Sequence, residues 1–324
     1  MLKGAIIGFD AETARLCGPA LLDAGNIFEI QAVACPGPGE EENASIFPKA
    51  RAYRSAEDLL SKEPRLDFAL IASKPEDRAR WALRALENRL HVLCLPPFCF
   101  STSEFEGLRQ AAAQAERIIF SAQPWERSPS CRALAEIIEQ DMLGEVRRAE
   151  VELLAPRAEG RGPGATAALG WQAFSMLLAI LRRPPLAMAA RLGLDAAYAP
   201  GTPETEASFQ IHFSGATGAV HLSNAAHAAL VRIEITGEKG FVELWGGQLR
   251  LEIAGHTPET VAVEDSLAEG FTRREWLLAE FEEFDKEIGE PARRGAGLKN
   301  ARYCVKLLRN AGYSASVNSS TVPL

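Results

Sequence analysis

The stretch KGAIIGFDAETARLCGPALLDAG, residues 3–25, decides the fold of this chain. The apolar run at residues 5–7 is typical of a short buried strand, and a helical pattern follows Gly8 and ends at Gly25. A strand, a tight turn and a helix in this order begin a βαβ unit. The stretch therefore predicts that the chain opens with a doubly wound parallel sheet.

The turn at residues 8–13 departs from the fingerprint of dinucleotide-binding turns. That fingerprint, G-x-G-x-x-G, has glycine at positions that are Gly8, Asp10 and Thr13 in this chain. The second glycine lets the backbone approach a pyrophosphate, whereas Asp10 brings a carboxylate there. Two interpretations are open: Asp10 caps the following helix, or the pocket takes a neutral or cationic ligand. Both disfavour a phosphate at this helix N-terminus.

Composition indicates a folded protein and excludes two kinds of partner. Hydrophobic residues form 47% of the 324-residue chain, enough for packed cores, and a net charge of −8 disfavours nucleic-acid binding. No apolar run reaches the ~18 residues of a membrane helix, and no signal-peptide pattern is seen, so a cytoplasmic protein without membrane contact is expected. Six cysteines without a C-x-x-C spacing predict buried thiols, not disulfides or a zinc site.

The order of predicted elements divides the chain into two domains, residues 1–122 and residues 123–324. In the first, strands alternate with helices, which predicts parallel strands joined by right-handed crossovers. The strands are predicted at residues 2–8, 28–34, 67–73, 91–95 and 118–122, and the helices at residues 11–24, 55–61, 76–88 and 103–115.

The second domain has a different pattern. Short alternating strands joined by tight turns between residues 185 and 263 predict a large open, mostly antiparallel sheet. The helix at residues 272–288 is predicted to turn its aromatic residues inward and its acidic residues outward. The other helices are predicted at residues 129–142, 167–182 and 296–313, and a long strand at residues 146–154. The fold class is therefore α/β, a Rossmann-type doubly wound parallel sheet plus an α/β domain with an open sheet.

Six short segments, taken in their order and spacing, extend this prediction to a known family. They are FALIAS at 68–73, ALRALE at 82–87, HVLC at 91–94, LGEV at 143–146, IEITGEKG at 233–240 and YSA at 313–315. Together they resemble the Gfo/Idh/MocA family of NAD(P)-dependent oxidoreductases, the relatives of glucose–fructose oxidoreductase and inositol dehydrogenase. The resemblance implies NAD or NADP as cofactor, a small-molecule ligand in an interdomain cleft, and a homodimer through the exposed face of the open sheet.

The resemblance also implies which residues would contact the cofactor. The positions are Gly8, Phe9, Asp10, Cys35, Ser73, Lys74, Pro96 and Pro97. Cys35 stands where the family often has the acidic residue that binds the adenosine ribose, and a thiol cannot accept two hydroxyl hydrogen bonds as a carboxylate can. With Asp10 at the pyrophosphate turn, weak or absent NAD(P) binding is expected.

The family's proton-transfer residues are replaced as well. The family lysine falls on Pro96, and the family's aspartate and histidine fall on Ala168 and Gln172. A loop histidine after the central strand corresponds to Arg78. None of these replacements is a general base near neutral pH, and such a base is worth about 10²- to 10⁴-fold in rate. The usual polyol dehydrogenase reaction is therefore not expected, and the motifs are interpreted as degenerate.

Other side chains are candidates for binding a substrate. They are Arg127, Arg157, Arg161, Trp171 and Gln172, of which Arg127 and Gln172 are the candidate catalytic residues. Together with Lys74 and Arg78, the arginines would favour an anionic substrate, although solvated loop positions are the favoured explanation for most of them. Trp171 either lines the cleft or packs in the core.

Histidines and cysteines suggest no further chemistry. His212, His221 and His227 have no carboxylate or cysteine at metal-ligand spacing, so no metal is predicted. Cys94 and Cys99 flank the prolines, and a structural role is favoured over a nucleophilic one. Two functional hypotheses follow: a divergent oxidoreductase that reduces a small, anionic substrate, or a non-catalytic ligand-binding or partner-stabilising protein.

Overall fold

The computed structural model describes residues 1–35, 37, 40–156, 163–193 and 203–324. The chain forms two compact units. One contains Met1–Pro124 and Phe271–Arg302, and the other contains Trp125–Gly270 and Tyr303–Leu324. Compact units are not independently folding domains, so the division after residue 122 stays a prediction.

The elements of the described chain alternate in the predicted way. The strands are β1 Leu2–Ile7, β2 Phe28–Ala34, β3 Arg51–Tyr53, β4 Phe68–Ile71, β5 His91–Cys94, β6 Ile119–Ser121, β7 Val146–Leu154, β8 Pro185–Leu192, β9 Glu206–Phe213, β10 Ala216–Ser223, β11 Leu230–Gly237, β12 Gly240–Trp245, β13 Gln248–Ile253, β14 Glu259–Ala262 and β15 Val322–Pro323. The helices are α1 Ala11–Asp23, α2 Ala56–Lys62, α3 Pro75–Glu87, α4 Thr102–Ala115, α5 Pro129–Glu139, α6 Ala165–Leu181, α7 Arg274–Gly289 and α8 Ala301–Ser316.

The first unit contains a six-stranded parallel sheet in the order β3-β2-β1-β4-β5-β6. This is the doubly wound order, in which the chain reverses its direction of winding between β1 and β4. The predicted Rossmann-type sheet is confirmed. The sequence does not predict strand β3. Its three residues, Arg-Ala-Tyr, form no apolar run, and two of them are exposed.

The second unit contains a nine-stranded sheet in the order β14-β13-β12-β11-β7-β10-β9-β8-β15. Within the described strands, neighbours pair antiparallel except for β7 and β10, which pair parallel. The large, mostly antiparallel sheet is therefore confirmed. Helix α6 packs against β7, β9 and β10, and in the part of the chain that the structure describes no helix has the length and apolar character needed to cross a membrane.

Helix α7 packs its aromatic residues in the core of the first unit. The Phe284 ring meets the rings of Phe28, Phe68 and Phe120 at centroid distances of 6.2, 5.7 and 5.8 Å. These edge-on and tilted arrangements are favourable for aromatic pairs. The inward aromatic face predicted from the sequence is confirmed.

The predicted outward position of all acids on α7 is wrong for two residues. Glu280 and Glu287 are 1% and 2% exposed. The Glu280 carboxylate accepts the Gln123 N–H at 2.8 Å, and that of Glu287 accepts the N–H groups of Gly295 and Gly297 at 2.6 and 2.9 Å. Helical periodicity does not reveal these acids because their partners lie in loops distant in sequence. Each buried carboxylate is hydrogen-bonded by backbone N–H groups, as buried polar groups generally are.

Replacing Glu287 by alanine should lower the free energy of unfolding by about 1 to 3 kcal/mol, because the change removes a buried side chain that accepts two backbone hydrogen bonds. Burial raises the pKa of Glu287, while the N–H groups of Gly297 and Gly295 partly oppose that shift. The carboxyl thus binds its proton more tightly in the folded chain, and its contribution declines as pH rises above the ordinary value of 4.5 through the folded value. The stability loss should therefore be larger at pH 4.5 than at pH 7.5.

Urea unfolding at the two pH values measures both effects. Glu282→Ala, an exposed position on the same helix, is the matched control and should change stability by less than about 0.5 kcal/mol. Equal losses for the two variants would contradict the role given to Glu287.

Candidate functional site

The candidate site lies where the turn after β1 meets the segment after β4. Gly8 follows β1 with φ of +85°, a conformation that favours glycine. A Cβ at Gly8 would lie 2.3 Å from the Cα of Ser73, the second residue after β4. Glycine is thus required both by the backbone angle and by this close approach. The two strands that flank the reversal of winding are held together here, and ligands of open α/β sheets bind at this point.

A cavity of about 380 Å³ opens at the carboxyl ends of these strands. Its lining comes from the ends of β1, β2, β3 and β4 and from the first turns of α2 and α3: Ile7, Gly8, Asp10, Ala34, Arg54, Ser55, Ala56, Glu57, Ser73, Lys74, Asp77, Arg80 and Trp81. Four of the residues named as cofactor contacts, Gly8, Asp10, Ser73 and Lys74, therefore lie in one cavity, and their role in cofactor binding stays a prediction. Cys35, Pro96 and Pro97 are not in its lining.

Asp10 caps helix α1, which confirms the first of its two interpretations. Its Oδ1 accepts the N–H of Thr13 at 2.8 Å. The N–H groups of Gly8 and Phe9 both donate to the Ala34 carbonyl at 3.0 Å, and the N–H of Asp10 donates to the Gly8 carbonyl at 3.1 Å. Backbone donors that cradle a pyrophosphate in dinucleotide sites are therefore engaged within the protein, and a carboxylate lies beside them.

Arg78 was expected either in a ligand-binding group of cations or in a solvated loop, and the structure shows neither. It lies within α3 and is 9% exposed. Its Nε donates to the Ser73 carbonyl at 2.8 Å, and its Nη1 donates to the Pro96 carbonyl at 2.6 Å, with longer contacts of 3.3 Å to the carbonyls of Leu95 and Pro97. Burial lowers the pKa of Arg78, and nearby Cys94, Cys17 and Asp10 oppose that shift. Arg78 therefore fastens the turn at residues 95–97 to the end of β4.

The cysteines near the site are buried thiols, as predicted. Cys35 follows β2 and donates its N–H to the Tyr53 carbonyl at 2.9 Å. Burial raises the pKa of Cys94 to about 12, with Arg78 opposing, and also raises that of Cys99. The thiolate is the reactive form, so neither of these cysteines is activated as a nucleophile.

His91 has a structural role at the start of β5. Its Nδ1 accepts the N–H of Ile118 at 3.0 Å. Burial, together with Arg117 and Arg294, lowers its pKa to about 4. The imidazole is therefore neutral at pH 7 and links β5 to the segment that leads into β6.

The described candidate residues of the second unit differ in their contacts and burial. Gln172, on α6, donates from Nε2 to the Leu267 carbonyl at 3.2 Å. Trp171 is 3% exposed, as core packing predicts. Arg127 ends the short turn Pro124–Arg127 and is half-buried. Arg157 and Arg161 lie outside the described residues. These catalytic and substrate assignments stay predictions.

No metal centre is found among the described residues, since they contain no group of three or more His, Cys, Asp or Glu side chains that could hold an ion. His212 and His221 lie on neighbouring strands, β9 and β10, where they pair with Thr217 and Ser208.

Sequence reasoning named only four residues of the cavity, and Arg54, Arg80 and Trp81 are among those it missed. Arg54 follows β3, the strand too short to leave a pattern. The Arg80 guanidinium lies 4.5 Å from the centre of the Trp81 ring and 3.3 Å from an oxygen of Asp77. Only the position of α3 beside β4 brings these side chains to the same cavity as Gly8. The one local signal was the density of arginines at residues 78–84.

A six-stranded parallel sheet of this order, with a polar cavity at its reversal point, defines a protein of the Rossmann fold class. Residues 2–123 match the family model described as oxidoreductase family, NAD-binding Rossmann fold, and residues 131–243 match the GFO/IDH/MocA C-terminal domain. The chain belongs to the Gfo/Idh/MocA family of oxidoreductases.

Relatives with assigned names are dehydrogenases. Dehydrogenase aclE of Aspergillus oryzae is 30% identical over 122 residues, which are 37% of this chain and 33% of that protein. Trans-1,2-dihydrobenzene-1,2-diol dehydrogenase of Mus musculus is 30% identical over 113 residues, 35% of this chain and 33% of that protein. The matched segments thus span about a third of these relatives.

Solved structures share the fold over nearly the whole chain. An inositol dehydrogenase homolog from Azotobacter vinelandii, complexed with NADH and myo-inositol, has a TM-score of 0.84 at 18% identity and covers 100% of this chain and 97% of its own. An oxidoreductase from Pseudomonas syringae has a TM-score of 0.83 at 19% identity and covers 99% of this chain and 98% of its own. At such identities the likeness describes the fold alone.

Replacing Arg78 by methionine should lower the free energy of unfolding by about 2 to 4 kcal/mol, because the buried carbonyls of Ser73 and Pro96 lose a charged donor. Arg78→Lys should recover only part of the loss, since an ammonium cannot reproduce the planar fork of the guanidinium. Chemical denaturation measures both variants.

Arg84→Met is the control on the same helix. Arg84 is exposed and pairs with Glu87 at 3.0 Å, and such surface pairs contribute about 0 to 1 kcal/mol. A loss for Arg78→Met no larger than that for Arg84→Met would refute the fastening role of Arg78.

Proposed function

We propose that this protein binds a pyridine dinucleotide at the carboxyl edge of its parallel sheet and uses it to reduce a small, anionic substrate. The observation that carries the proposal is the cavity at the reversal point between β1 and β4, where Gly8 packs on Ser73. The family and the NADH-bound neighbour of the same fold support a nicotinamide cofactor. The cofactor, when bound, supplies the hydride.

Some residues of the cavity favour the binding of such a cofactor, and one opposes it. Ser73 lines the cavity, and its Oγ is buried without a hydrogen-bond partner within the described structure. Lys74 and Arg54 bring positive charge to the same wall. Asp10 opposes binding, because its carboxylate lies where the pyrophosphate would approach and already accepts the Thr13 N–H. We therefore infer weak binding carried by the adenosine end.

The chain's own side chains limit the reaction. Pro96 has no ionisable group, and its carbonyl is bound by Arg78. The Gln172 amide donates to the Leu267 carbonyl and is no base near neutral pH. A reduction in which the proton comes from water or from the substrate, as with an imine or enamine, suits these residues. Arg127, Arg157 and Arg161 are the proposed contacts for an anionic substrate.

A second candidate function is a non-catalytic ligand-binding or partner-stabilising protein on the same fold. The observation that favours it is that polar groups of the site already bond within the protein. Asp10 caps helix α1, and Arg78 donates to the turn at residues 95–97. Titration with NADH and NADPH separates the two. Absence of binding at millimolar nucleotide would exclude the reductase, and low-micromolar affinity would show that Asp10 does not impair the site.

Replacing Asp10 by glycine should tighten nucleotide binding about three- to tenfold, because it removes a like charge close to the pyrophosphate and frees the Thr13 N–H. Glycine at a helix N-cap costs only a few tenths of a kcal/mol, so the variant should fold. Asp10→Asn keeps a capping side chain and removes only the charge, so it separates the two causes. Nucleotide fluorescence titration gives the dissociation constants. If the folded glycine variant binds no better than the parent, Asp10 is not the obstacle.

We further propose a homodimer through the open face of the nine-stranded sheet. Near the centre of that face, a depression of about 250 Å³ combines the small side chains of Ser208 and Ala219 with the charged Glu152 and Arg232. A two-fold interface buries the same patch on both copies, and Arg232 would enter it already paired, since it bonds to Glu243 at 2.7 Å and to Glu234 at 3.0 Å within the chain.

Ala219→Arg should place a cation in this patch and convert the dimer to a monomer, as measured by light scattering coupled to size exclusion. Ala113→Arg introduces the same side chain at an exposed position of α4 and should leave the mass unchanged. A parent protein with the mass of one chain would refute the dimer.

A further inference from the structure

The cavity at the sheet edge has cationic side chains from two segments. Arg54 follows β3, whereas Lys74 immediately precedes α3 and Arg80 lies within it. The two segments are separated in sequence, and the strand order β3-β2-β1-β4 brings them to one edge. The cluster therefore belongs to the tertiary fold and does not arise from a local run of charge.

The carboxylates in the same lining are engaged elsewhere or face a cation. Asp10 accepts the Thr13 N–H at 2.8 Å, and Asp77 lies 3.3 Å from Arg80. The remaining acid, Glu57, lies in the first turn of α2 and is exposed. No acidic residue follows β2 directly, because Cys35 occupies that position with its thiol buried. The chain thus lacks, at the end of β2, the carboxylate that accepts the ribose hydroxyl in NAD-binding sites.

Ser73 supplies a polar group at the same wall. The residue is 9% exposed, and its Oγ is buried and has no hydrogen-bond partner in the described structure. A buried hydroxyl without a partner costs free energy unless a ligand or water satisfies it. Ser73 and Lys74 are adjacent in sequence, and both residues line the cavity.

We propose that this cavity recognises a phosphate on the adenosine ribose, so that the cofactor is NADP(H) and not NAD(H). The inference rests on the proposed nucleotide-binding function. A phosphate monoester carries about −1.5 to −2 charges at pH 7, and guanidinium and ammonium groups are its usual partners. Arg54 and Lys74 supply these partners, while the buried thiol of Cys35 neither repels the phosphate nor binds a ribose hydroxyl as a carboxylate would. The added contact compensates for the repulsion by Asp10 at the pyrophosphate.

Binding of NADPH and NADH to the full chain tests the proposal, with fluorescence titration at low ionic strength as the readout. NADPH should bind at least about tenfold more tightly, because charge-assisted hydrogen bonds are roughly twice as strong as neutral ones. Adenosine 2′,5′-bisphosphate should likewise bind more tightly than 5′-AMP, which assigns the preference to the ribose phosphate. Raising the salt concentration should reduce the preference, because exposed charges are screened.

Two variants test the residues. Arg54→Gln and Lys74→Gln should each weaken NADPH binding about five- to twentyfold and weaken NADH binding by a clearly smaller factor, since only NADPH carries the extra phosphate. Arg65→Gln is the matched control: it removes the same charge from an exposed residue before β4, at the opposite edge of the sheet. It should alter neither affinity. Thermal unfolding of each variant verifies folding, and Lys74→Gln serves if Arg54→Gln fails to fold.

The outcomes separate this inference from the function on which it rests. Equal affinities for the two nucleotides, or tighter NADH binding, would overturn the phosphate assignment and leave the nucleotide-binding function intact. A preference for NADPH that both variants retain would overturn the roles of Arg54 and Lys74. If the protein binds neither nucleotide at millimolar concentration, both proposals fail.

Discussion

The close approach of Gly8 to Ser73 is the constraint on which the first unit's site depends. A side chain at residue 8 would collide with the Ser73 backbone, and the +85° φ of Gly8 would strain any L-residue that replaced it. The contact joins the two strands that flank the reversal of winding. The contact forms the base of the cavity at the sheet edge. Residues at the ends of four strands line the cavity above it. The position of every candidate group there follows from this contact.

Around the contact between Gly8 and Ser73, polar groups of the turns form hydrogen bonds with one another. Asp10 takes the Thr13 N–H, the Ala34 carbonyl takes two N–H groups, and Arg78 binds four carbonyls in the segments after β4 and β5. A buried cation is costly unless hydrogen bonds replace its hydration, and Arg78 obtains them from the backbone. Arg78 stands where family likeness expects a loop histidine. In this chain it instead holds the segments after β4 and β5 together. The sheet edge keeps the architecture of a nucleotide site, but its central polar groups form hydrogen bonds within the protein.

Charge is distributed unevenly along the cavity. The carboxylate of Asp10 lies at the turn after β1, whereas Arg54, Lys74 and Arg80 lie towards β3 and α3. Two further acids, Glu57 and Asp77, line the cavity on the same side as these cations, and Asp77 lies 3.3 Å from Arg80. Asp10 repels an anion at one end of the cavity, whereas Arg54 and Lys74 attract one.

Sequence alone determined the elements and groups whose physics is local. Both faces of a parallel strand are buried, so the strands containing Ile7 and Leu70 appear as apolar runs, and the Asp10 cap acts over only three residues. The family likeness likewise located Gly8, Ser73 and Lys74 at one site. Tertiary structure decided what depends on distant partners. Glu287 is buried because loop N–H groups need an acceptor, Arg78 because carbonyls after β4 and β5 need a donor, and Arg54 reaches the cavity because β3 joins the sheet edge. Helical periodicity and residue type carry no information about such partners, since these hydrogen bonds and charges act across space and not along the chain.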